Sequence, residues 1–390
     1  MPSVAADQTV DVAIIGGGIT GLVMAVGLIS RGFHVKVYER KSGHSKIETA
    51  IVFTQNIEWA MRVINPRIYG AFKQVATSDA KDRFSWINAC QRSKFIAELA
   101  QLLPKGCVVF EKELDAMKDR GEDRKMLLRF KDKTIVEAHM MIGCDGIHSR
   151  VRQYVIGEEE EPAYAHKYDV GTNRYIHLGH GAHPVMFPVA DGELFNVVAF
   201  VKDSKELPDK RTLIDSLHKK EAVKVFRKFP AVTRAIIDLL PDQINRWAIF
   251  DTFDEPAATY IDDRICLAGD SAYPASPHHG AGVGMVVEDA AALVSLLELA
   301  KEALSDKRYK KTSLIQLALE AYDRVRLNRT LWLVETSRFS GELYEWQHGN
   351  GPATIRREVN WRARKTWSYN IDEINRQAME EFIQSLSTMR

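Results

Sequence analysis

The stretch DVAIIGGGITGLVMAVGLISRGFHVKVYER, residues 11–40, decides the fold. It opens with the apolar run 12–15, which is typical of a buried parallel strand. Gly16, Gly18 and Gly21 follow with the spacing G-x-G-x-x-G. That spacing allows a tight turn, a close approach of the backbone to a pyrophosphate, and close packing of the next helix on the strand. Residues 11–40 therefore begin as a dinucleotide-binding βαβ unit would begin.

The second half of the same stretch completes this unit. Apolar residues carry the helix, Gly32 is expected to end it, and a second strand over 34–38 leads directly to Glu39. A carboxylate at this point can accept both hydroxyls of an adenosine ribose. Because a 2′-phosphate would meet a like charge there, Glu39 argues against NADP at this site. A glycine-rich packing unit without a nucleotide is the alternative.

Composition limits the possible functions. The chain has 390 residues, of which 45% are apolar and 27% charged, so it resembles an ordinary globular protein with about two to three domains' worth of core. Since 53 basic and 52 acidic residues leave a net charge of +1, nothing indicates a nucleic-acid partner. The N-terminus lacks the features of a signal peptide, and no apolar stretch is long enough for a membrane span. We expect a cytoplasmic protein.

The cysteines and histidines indicate no metal site. Cys90, Cys107, Cys144 and Cys266 form no C-x-x-C pair and have no histidine at ligand spacing, so we expect reduced, mostly buried thiols. His180 and His183 are interpreted as loop histidines rather than ligands.

Periodicity predicts the remaining elements. Helices are expected over 93–103, 211–240, 282–304, 312–337 and in the tail 341–390, and strands over 108–111, 126–130, 134–142, 184–189, 194–201, 247–253 and 265–268. An Asp191-Gly192 turn predicts that 184–189 and 194–201 form an antiparallel hairpin. The fold class is therefore α/β, with a discontinuous nucleotide-binding domain over 1–165 and 250–340, an inserted β-sheet domain over 166–249 and a helical segment over 341–390.

Two further motifs follow the first in order, GCDGIHSRVR at 143–152 and GDSAYPASPHHGAGVGMVVEDA at 269–290. Each alone is compatible with a turn or a flexible loop. Together with the glycine turn they resemble the class A flavoprotein monooxygenases, which include salicylate and p-hydroxybenzoate hydroxylases. In particular, the chain resembles the salicylate-hydroxylase-like enzymes of fungal secondary metabolism. The resemblance covers residues 10–155 and 180–340.

This resemblance implies one FAD, bound non-covalently in extended form in a discontinuous Rossmann-like domain. The glycine turn would hold the pyrophosphate at a helix N-terminus, and Glu39 would bind the adenosine ribose. Asp270 would bind the ribityl or pyrophosphate region. In the loop 280–283, Gly282 and Val283 would offer backbone N–H groups to the pyrimidine edge of the flavin. Other implied cofactor-binding positions are Val52, Arg92 and Asp145, the last of which, with Arg150, matches a motif that serves both FAD and NADPH.

The implied chemistry is that of the cofactor. NADPH would act as a transient reductant, and reduced flavin with O2 would form a C4a-hydroperoxyflavin. This species would hydroxylate or epoxidise an electron-rich aromatic small molecule of phenol or indole type, in fungal natural-product biosynthesis. Phe187, Pro277 and His278 are the candidate residues of the substrate pocket. The catalytic acid or base, the choice between NADPH and NADH and the oligomeric state stay open.

The chain departs from the family pattern at several points. Residues 48–51 replace the family's Gly-Ala-Gly-Ile, and segments of the family are missing between Asn88 and Ala89 and after Tyr168. The family's active-site arginine therefore has no counterpart that can be identified. Phe187 stands where related phenol hydroxylases often carry tyrosine, which favours a bulky, already electron-rich aromatic over salicylate.

Other classes of protein explain less of the sequence. A nicotinamide dehydrogenase needs only the first motif, and a flavin halogenase would carry a Trp-x-Trp-x-Ile-Pro motif that is absent. A non-enzymatic binding protein on a flavoprotein-like fold has no reason to keep both later motifs. Another FAD oxidoreductase remains the main alternative.

Overall fold

The computed structural model describes residues 9–43, 50–77, 87–121, 124–156, 175–189, 194–202, 214–348 and 351–388. The strands are β1 Asp11–Ile15, β2 His34–Tyr38, β3 Ala50–Thr54, β4 Ala76–Thr77, β5 Ile87–Gln91, β6 Val108–Val109, β7 Leu114–Lys118, β8 Met126–Phe130, β9 Ile135–Ala138, β10 Met140–Gly143, β11 Tyr175–Ile176, β12 Ala182–Val189, β13 Leu194–Val201, β14 Ile214–His218, β15 Gln243–Trp247, β16 Ile261–Asp262 and β17 Ile265–Leu267. The helices are α1 Ile19–Ser30, α2 Gln55–Ile64, α3 Pro66–Val75, α4 Arg92–Gln101, α5 Arg150–Ile156, α6 Lys219–Phe226, α7 Ala231–Asp238, α8 Gly282–Ala303, α9 Lys311–Tyr344, α10 Pro352–Trp367 and α11 Ile371–Thr388.

A six-stranded sheet forms the centre of the nucleotide-binding domain. Its order is β16-β17-β10-β1-β2-β6, and all neighbours are parallel except β16, which runs antiparallel to β17. β1, β10 and β17 lie far apart in sequence but side by side in the sheet, so the domain is discontinuous as predicted. Because the carboxyl ends of parallel strands share one edge, the loops that carry all three sequence motifs meet there.

The βαβ unit forms where the sequence predicts it. β1 and β2 pair in parallel register from Asp11 and His34 onward. After α1, Gly32 donates to the carbonyl of Ile29 and Phe33 to that of Leu28, the two hydrogen bonds of a Schellman motif. The helix therefore ends at its predicted glycine.

α8 packs alongside α1 and runs in the same direction. At their carboxyl ends, Arg31 pairs with Glu298 at 2.9 Å, and the Lys301 ammonium donates to the carbonyls of Arg31 (2.6 Å) and Gly32 (3.0 Å). The amino ends of both helices consequently face the same side of the sheet.

The middle region forms a second layer with its own core. β11, β12 and β13 make an antiparallel sheet, and the predicted hairpin of β12 and β13 is confirmed in full register from Ala182 to Val201. One face of this sheet packs on α6 and α7 through a buried cluster that includes Met186, Val197 and Phe226. The opposite face is directed at the nucleotide-binding domain.

Three secondary-structure predictions are wrong in detail. The strand expected over 134–142 is two strands, β9 and β10, which belong to different sheets and separate at His139. The stretch 211–240 is not helical throughout, because residues 214–218 form β14, which pairs with β15. The strand expected over 247–253 ends at Trp247 instead of beginning there.

The tail is helical as predicted, and α9 extends beyond the predicted end to Tyr344. All four cysteines are buried free thiols. Within the described ranges, no helix has the length and apolar character needed to span a bilayer.

Candidate active site

The glycine turn between β1 and α1 is fixed by close packing. Gly16 has φ +110°, and a Cβ at this position would overlap the carbonyl oxygen of Cys144. A Cβ on Gly21 would overlap the carbonyl of Gly16. α1 begins after Gly18 with no side-chain cap, so the N–H groups of its first turn remain available to a ligand. These features fit a bound pyrophosphate.

Glu39 lies directly beside this turn. Its carboxylate accepts hydrogen bonds from the backbone N–H of Gly17 at 2.7 Å and of Lys41 at 2.9 Å. The acid is therefore at the place that the sequence predicts for a ribose-binding residue, and its contact with the ribose stays a prediction.

Arg92 and Asp270 bring opposite charges into the same cleft. Arg92 is the first residue of α4, and its guanidinium lies about 4.0 Å from the Cβ position of Gly18. Burial lowers the pKa of Arg92, while the charges of Asp270 and Glu39 oppose that shift. The side chain of Asp270 is exposed to solvent in the open cleft, although protein surrounds it on the other sides. This partial enclosure raises the pKa of its carboxyl, and the positive charge of Arg92 lowers it. The positive charge of Arg92 thus acts on the acids of two predicted cofactor-binding positions, Glu39 and Asp270.

The amino end of α8 forms another wall of this cleft. A 3₁₀ turn over Pro277–His279 ends at Gly280, and α8 begins at Gly282 after an uncapped Ala281. The first N–H groups of the helix, those of Gly282 and Val283, have no acceptor within the helix. They favour a ligand atom that carries negative charge.

These segments enclose a cavity of about 280 Å³. Its lining includes Gly18, Thr20, Arg92, Cys144, Gly146, Asp270, Tyr273, Ser276, Pro277, Gly280, Gly282 and Val283. All three sequence motifs therefore contribute to one site. A glycine cradle, two uncapped helix N-termini and an arginine between two acids suit an extended dinucleotide with negative phosphates.

Asp145 has a role that the sequence analysis does not anticipate. Its carboxylate accepts the backbone N–H of Arg150 at 2.7 Å and the hydroxyls of Ser149 and Ser271, so it caps α5. Cys144 and Gly146, on either side, line the cavity instead. A direct contact of Asp145 with FAD or NADPH remains a prediction.

Two predicted residues are described through their backbone alone. Val52 lies in β3 opposite Ala89, and Phe187 lies in β12 opposite Asn196. The positions of their side chains lie outside the described part of the structure. Residues 78–86 and 157–174, in or near which the sequence analysis predicts missing family segments, also lie outside it.

The inner face of β12 and β13 carries a buried histidine cluster. His183 lies in β12 with 0% of its surface exposed, stacked on Phe200 at 4.7 Å between ring centroids. The interpretation of His183 as a loop histidine is therefore wrong, whereas His180 lies in a turn. The ring of His278 is 5.0 Å from that of His183, and Glu345 lies 3.3 Å from Nδ1 of His183.

Both imidazoles are kept neutral by burial. Burial lowers the pKa of His183, against the attraction of Glu345, and lowers the pKa of His278, with His183 and His279 adding to the effect. Nδ1 of His278 and the hydroxyl of Ser276 are buried without a hydrogen-bond partner in the described structure. Ser276 lines the cavity, so its hydroxyl is placed to accept a partner such as an ordered water or a substrate atom.

Sequence reasoning missed several residues of this region. Tyr273 and Ser276 lie inside the quoted 269–290 motif, but no spacing rule marks them out, and His183 belongs to no motif. The helical continuation of 269–290 did offer one signal, the adjacent acids Glu288 and Asp289 in an otherwise apolar segment.

The geometry defines a Rossmann-like flavoprotein, and comparisons with known proteins identify its family. A family model described as an FAD binding domain matches residues 74–311, and one described as an NAD(P)-binding Rossmann-like domain matches residues 14–77. The FAD-dependent monooxygenase orf3 of Aspergillus niger is 42% identical over 430 residues, covering 96% of this chain and 97% of the relative. The FAD-dependent monooxygenase pigN of Monascus ruber is 41% identical over 431 residues, covering 98% and 99%.

The chain belongs to this family of FAD-dependent monooxygenases, which means that it is an enzyme with FAD as cofactor and NAD(P)H as reductant. The salicylate hydroxylase asL1 of Sarocladium schorii is 30% identical over 96% of this chain and 92% of the relative. A solved salicylate hydroxylase substrate complex shares the fold, with a TM-score of 0.79 at 24% identity over 96% of this chain and 98% of that one.

The alignments also bear on the missing segments. The alignment with the Aspergillus niger enzyme spans 430 positions, although this chain has 390 residues. The relative thus has segments without counterparts here. The placement of the absent segments after Asn88 and Tyr168 stays a prediction.

Proposed function

We propose that this enzyme uses NADPH and O2 to add one oxygen atom to a neutral, electron-rich aromatic small molecule of fungal secondary metabolism, by way of the C4a-hydroperoxyflavin expected from the sequence. The observation that carries the proposal is the meeting of the glycine turn, Arg92, Asp270 and the amino end of α8 in one cleft, whose 276–277 segment leads to the ring of His278 packed on β12 and β13. Bound FAD supplies the redox chemistry there. The protein binds, orients and shields the reactants.

The uncharged groups beside the cleft favour a neutral substrate. Among the described residues that line the cavity, the charged side chains are Arg92 and Asp270, and both stand at positions expected to contact FAD rather than substrate. The polar groups of the adjoining 276–279 turn carry no charge, because Ser276 offers a hydroxyl and burial lowers the pKa of His278 well below its usual value. A substrate carboxylate beside these groups would be an unpaired charge, which is costly in a buried site. This supports a phenol or indole without a carboxylate rather than salicylate.

The 276–279 turn offers weak polar contacts that suit such a ring. Ser276 and Pro277 line the cavity, and the neighbouring ring of His278 packs on Phe200 of β13 with 4.7 Å between ring centroids, so this turn combines a hydroxyl and an imidazole with apolar surroundings. A neutral imidazole can accept a hydrogen bond from a phenolic hydroxyl or donate one to a carbonyl oxygen. We therefore assign His278 to orientation of the substrate ring.

Steady-state turnover tests the proposal. NADPH oxidation, O2 uptake and H2O2 release should be followed with a panel of neutral phenols, indoles and salicylate. We expect neutral aromatics to accelerate NADPH oxidation with little peroxide and with formation of a product heavier by one oxygen atom. Coupled turnover of salicylate without activity on neutral aromatics would contradict it.

The pair of variants His278→Phe and His180→Phe sharpens the test. His278→Phe should raise KM or release more peroxide with the same substrate, because the ring loses its polar contact. His180 lies in the turn before β12, so His180→Phe serves as the matched control. Equal NADPH and NADH rates would correct the reductant and leave the substrate class intact.

A further inference from the structure

Four charged side chains are buried between α8 and α9. Arg326 donates to Glu288 and to Asp289, each at 2.7 Å, and Arg329 donates to Glu288 at 3.0 Å. All four are buried. When all four groups are ionised, two positive and two negative charges balance, so the cluster carries no net charge.

The two acids nevertheless have different surroundings. The described hydrogen bonds of Glu288 come from the two arginines alone, and one oxygen of Asp289 faces Arg326 in the same way. The second oxygen of Asp289 accepts the backbone N–H of Gly269 at 2.9 Å and the hydroxyl of Tyr273. These two contacts flank Asp270 in sequence.

The turn that Asp289 holds has little freedom of its own. Gly269 has φ +63°, a left-handed conformation that favours glycine, and a Cβ there would lie 2.9 Å from Oγ1 of Thr20 and 3.0 Å from Val286. Its N–H is the only donor that this peptide offers, and it points at Asp289. Losing that acceptor would free the peptide plane that precedes Asp270.

We propose that Asp289 is a positioning residue for the cofactor: by holding Gly269 and Tyr273, it fixes Asp270 in the cleft that Arg92 also lines. Arg326 supplies the compensating charge that allows a carboxylate to be buried at this point. The inference concerns FAD binding alone, so it does not depend on the identity of the substrate.

FAD titration of the apoprotein of Asp289→Asn tests the inference. The amide keeps the volume of the side chain, but it cannot accept from Gly269, Tyr273 and Arg326 together, so Kd for FAD should rise about tenfold or more. Glu288→Gln is the matched control, because it breaks ion pairs in the same cluster without touching the turn. Its apoprotein should lose thermal stability to a similar degree, while Kd for FAD changes by less than about threefold.

The outcomes separate positioning from general stability. Equal weakening of FAD binding in both variants, or unchanged binding in Asp289→Asn, would overturn the proposal. If neither variant folds, Tyr273→Phe removes one partner of Asp289 without changing any charge. FAD binding that is about threefold or more weaker in a fully folded Tyr273→Phe supports the positioning role, and unchanged binding contradicts it.

Discussion

The glycine turn of the cleft and the wall, the buried cluster around His183 on β12 and β13, are built from different atoms. The turn presents backbone N–H groups from residues that are adjacent in sequence, and its glycines are required by contacts with Cys144 and Gly16. The wall presents side chains from β12, β13, the 277–279 turn and α9. Backbone geometry leaves a spacing pattern in the sequence, whereas a wall of distant side chains leaves none.

Gly21→Val tests the backbone end and has the largest expected effect. The new side chain would overlap the carbonyl of Gly16, so we expect FAD binding to be lost altogether. Gly70→Ala is the control, because Gly70 lies in α3 with no atom within 4 Å of the added Cβ and should fold at least as well as the wild type. FAD titration measures both, and tight FAD binding by Gly21→Val would refute the role of the turn.

Met186→Ala tests whether the stability of the β12–β13 region can change without changing FAD binding at the glycine turn. Met186 is fully buried in the core that β12 shares with α6 and α7, so its truncation should cost about 2–5 kcal/mol of stability. The FAD affinity of the folded fraction should stay unchanged. Urea unfolding and FAD titration check the two parts, and a parallel loss of affinity would show that the regions are coupled.

The titration of His279, in the 277–279 turn, should make the free energy of unfolding depend on pH. Burial, together with the charges of Arg362 and Arg329, lowers the pKa of His279 from 6.5 to about 4. The unfolded chain then binds the proton first, so stability is complete above about pH 6.5 and falls as the pH drops toward 4, by about 3 kcal/mol. Urea unfolding at pH 7.5 and 5 should show a smaller loss in His279→Gln, and an identical loss would exclude this residue as the cause.

Glu39→Ala and Asp270→Ala should have the smallest of these effects. Each removes a charged acceptor for cofactor hydroxyls, a contact worth about 1.5–3 kcal/mol, so FAD affinity should fall about tenfold or more. Glu298→Ala removes an acid of similar size from the remote end of α8 and serves as control. Unchanged affinity in both site variants would disprove the assignment of these two residues.

The contrast between local backbone patterns and distant contacts explains which elements could be predicted from the sequence. β1, α1 and β2 were predictable because apolar period, glycine spacing and helix end all agree within thirty residues. The strand prediction for 134–142 was wrong because this continuous strand-like stretch supplies strands to two different sheets. A helix was predicted over 214–218 because Ile214 and Leu217 have helical spacing. These residues form a strand instead, because they pair with β15, which is distant in sequence.

The candidate site divides along the same line. Arg92, Asp270 and Gly282 line one cavity and Glu39 lies beside its glycine turn, while their binding of FAD stays a prediction. His183 could not be found in the same way, because its importance comes from contacts with Phe200, His278 and Glu345 that no local pattern records. Physical constraint on the backbone is visible in a sequence, and complementarity to a particular ligand is not.

The parallel packing of α1 and α8 has an electrostatic consequence. Each helix end carries roughly half a positive charge from aligned peptide dipoles, and the two ends open into the same cleft. Peptide dipoles do not titrate, and Arg31 and Lys301 tie the remote ends of the two helices together. The dipole contribution to the potential of the cleft is thus positive and independent of pH, so part of the affinity for an anionic cofactor should persist at acidities that protonate Asp270 and Glu39.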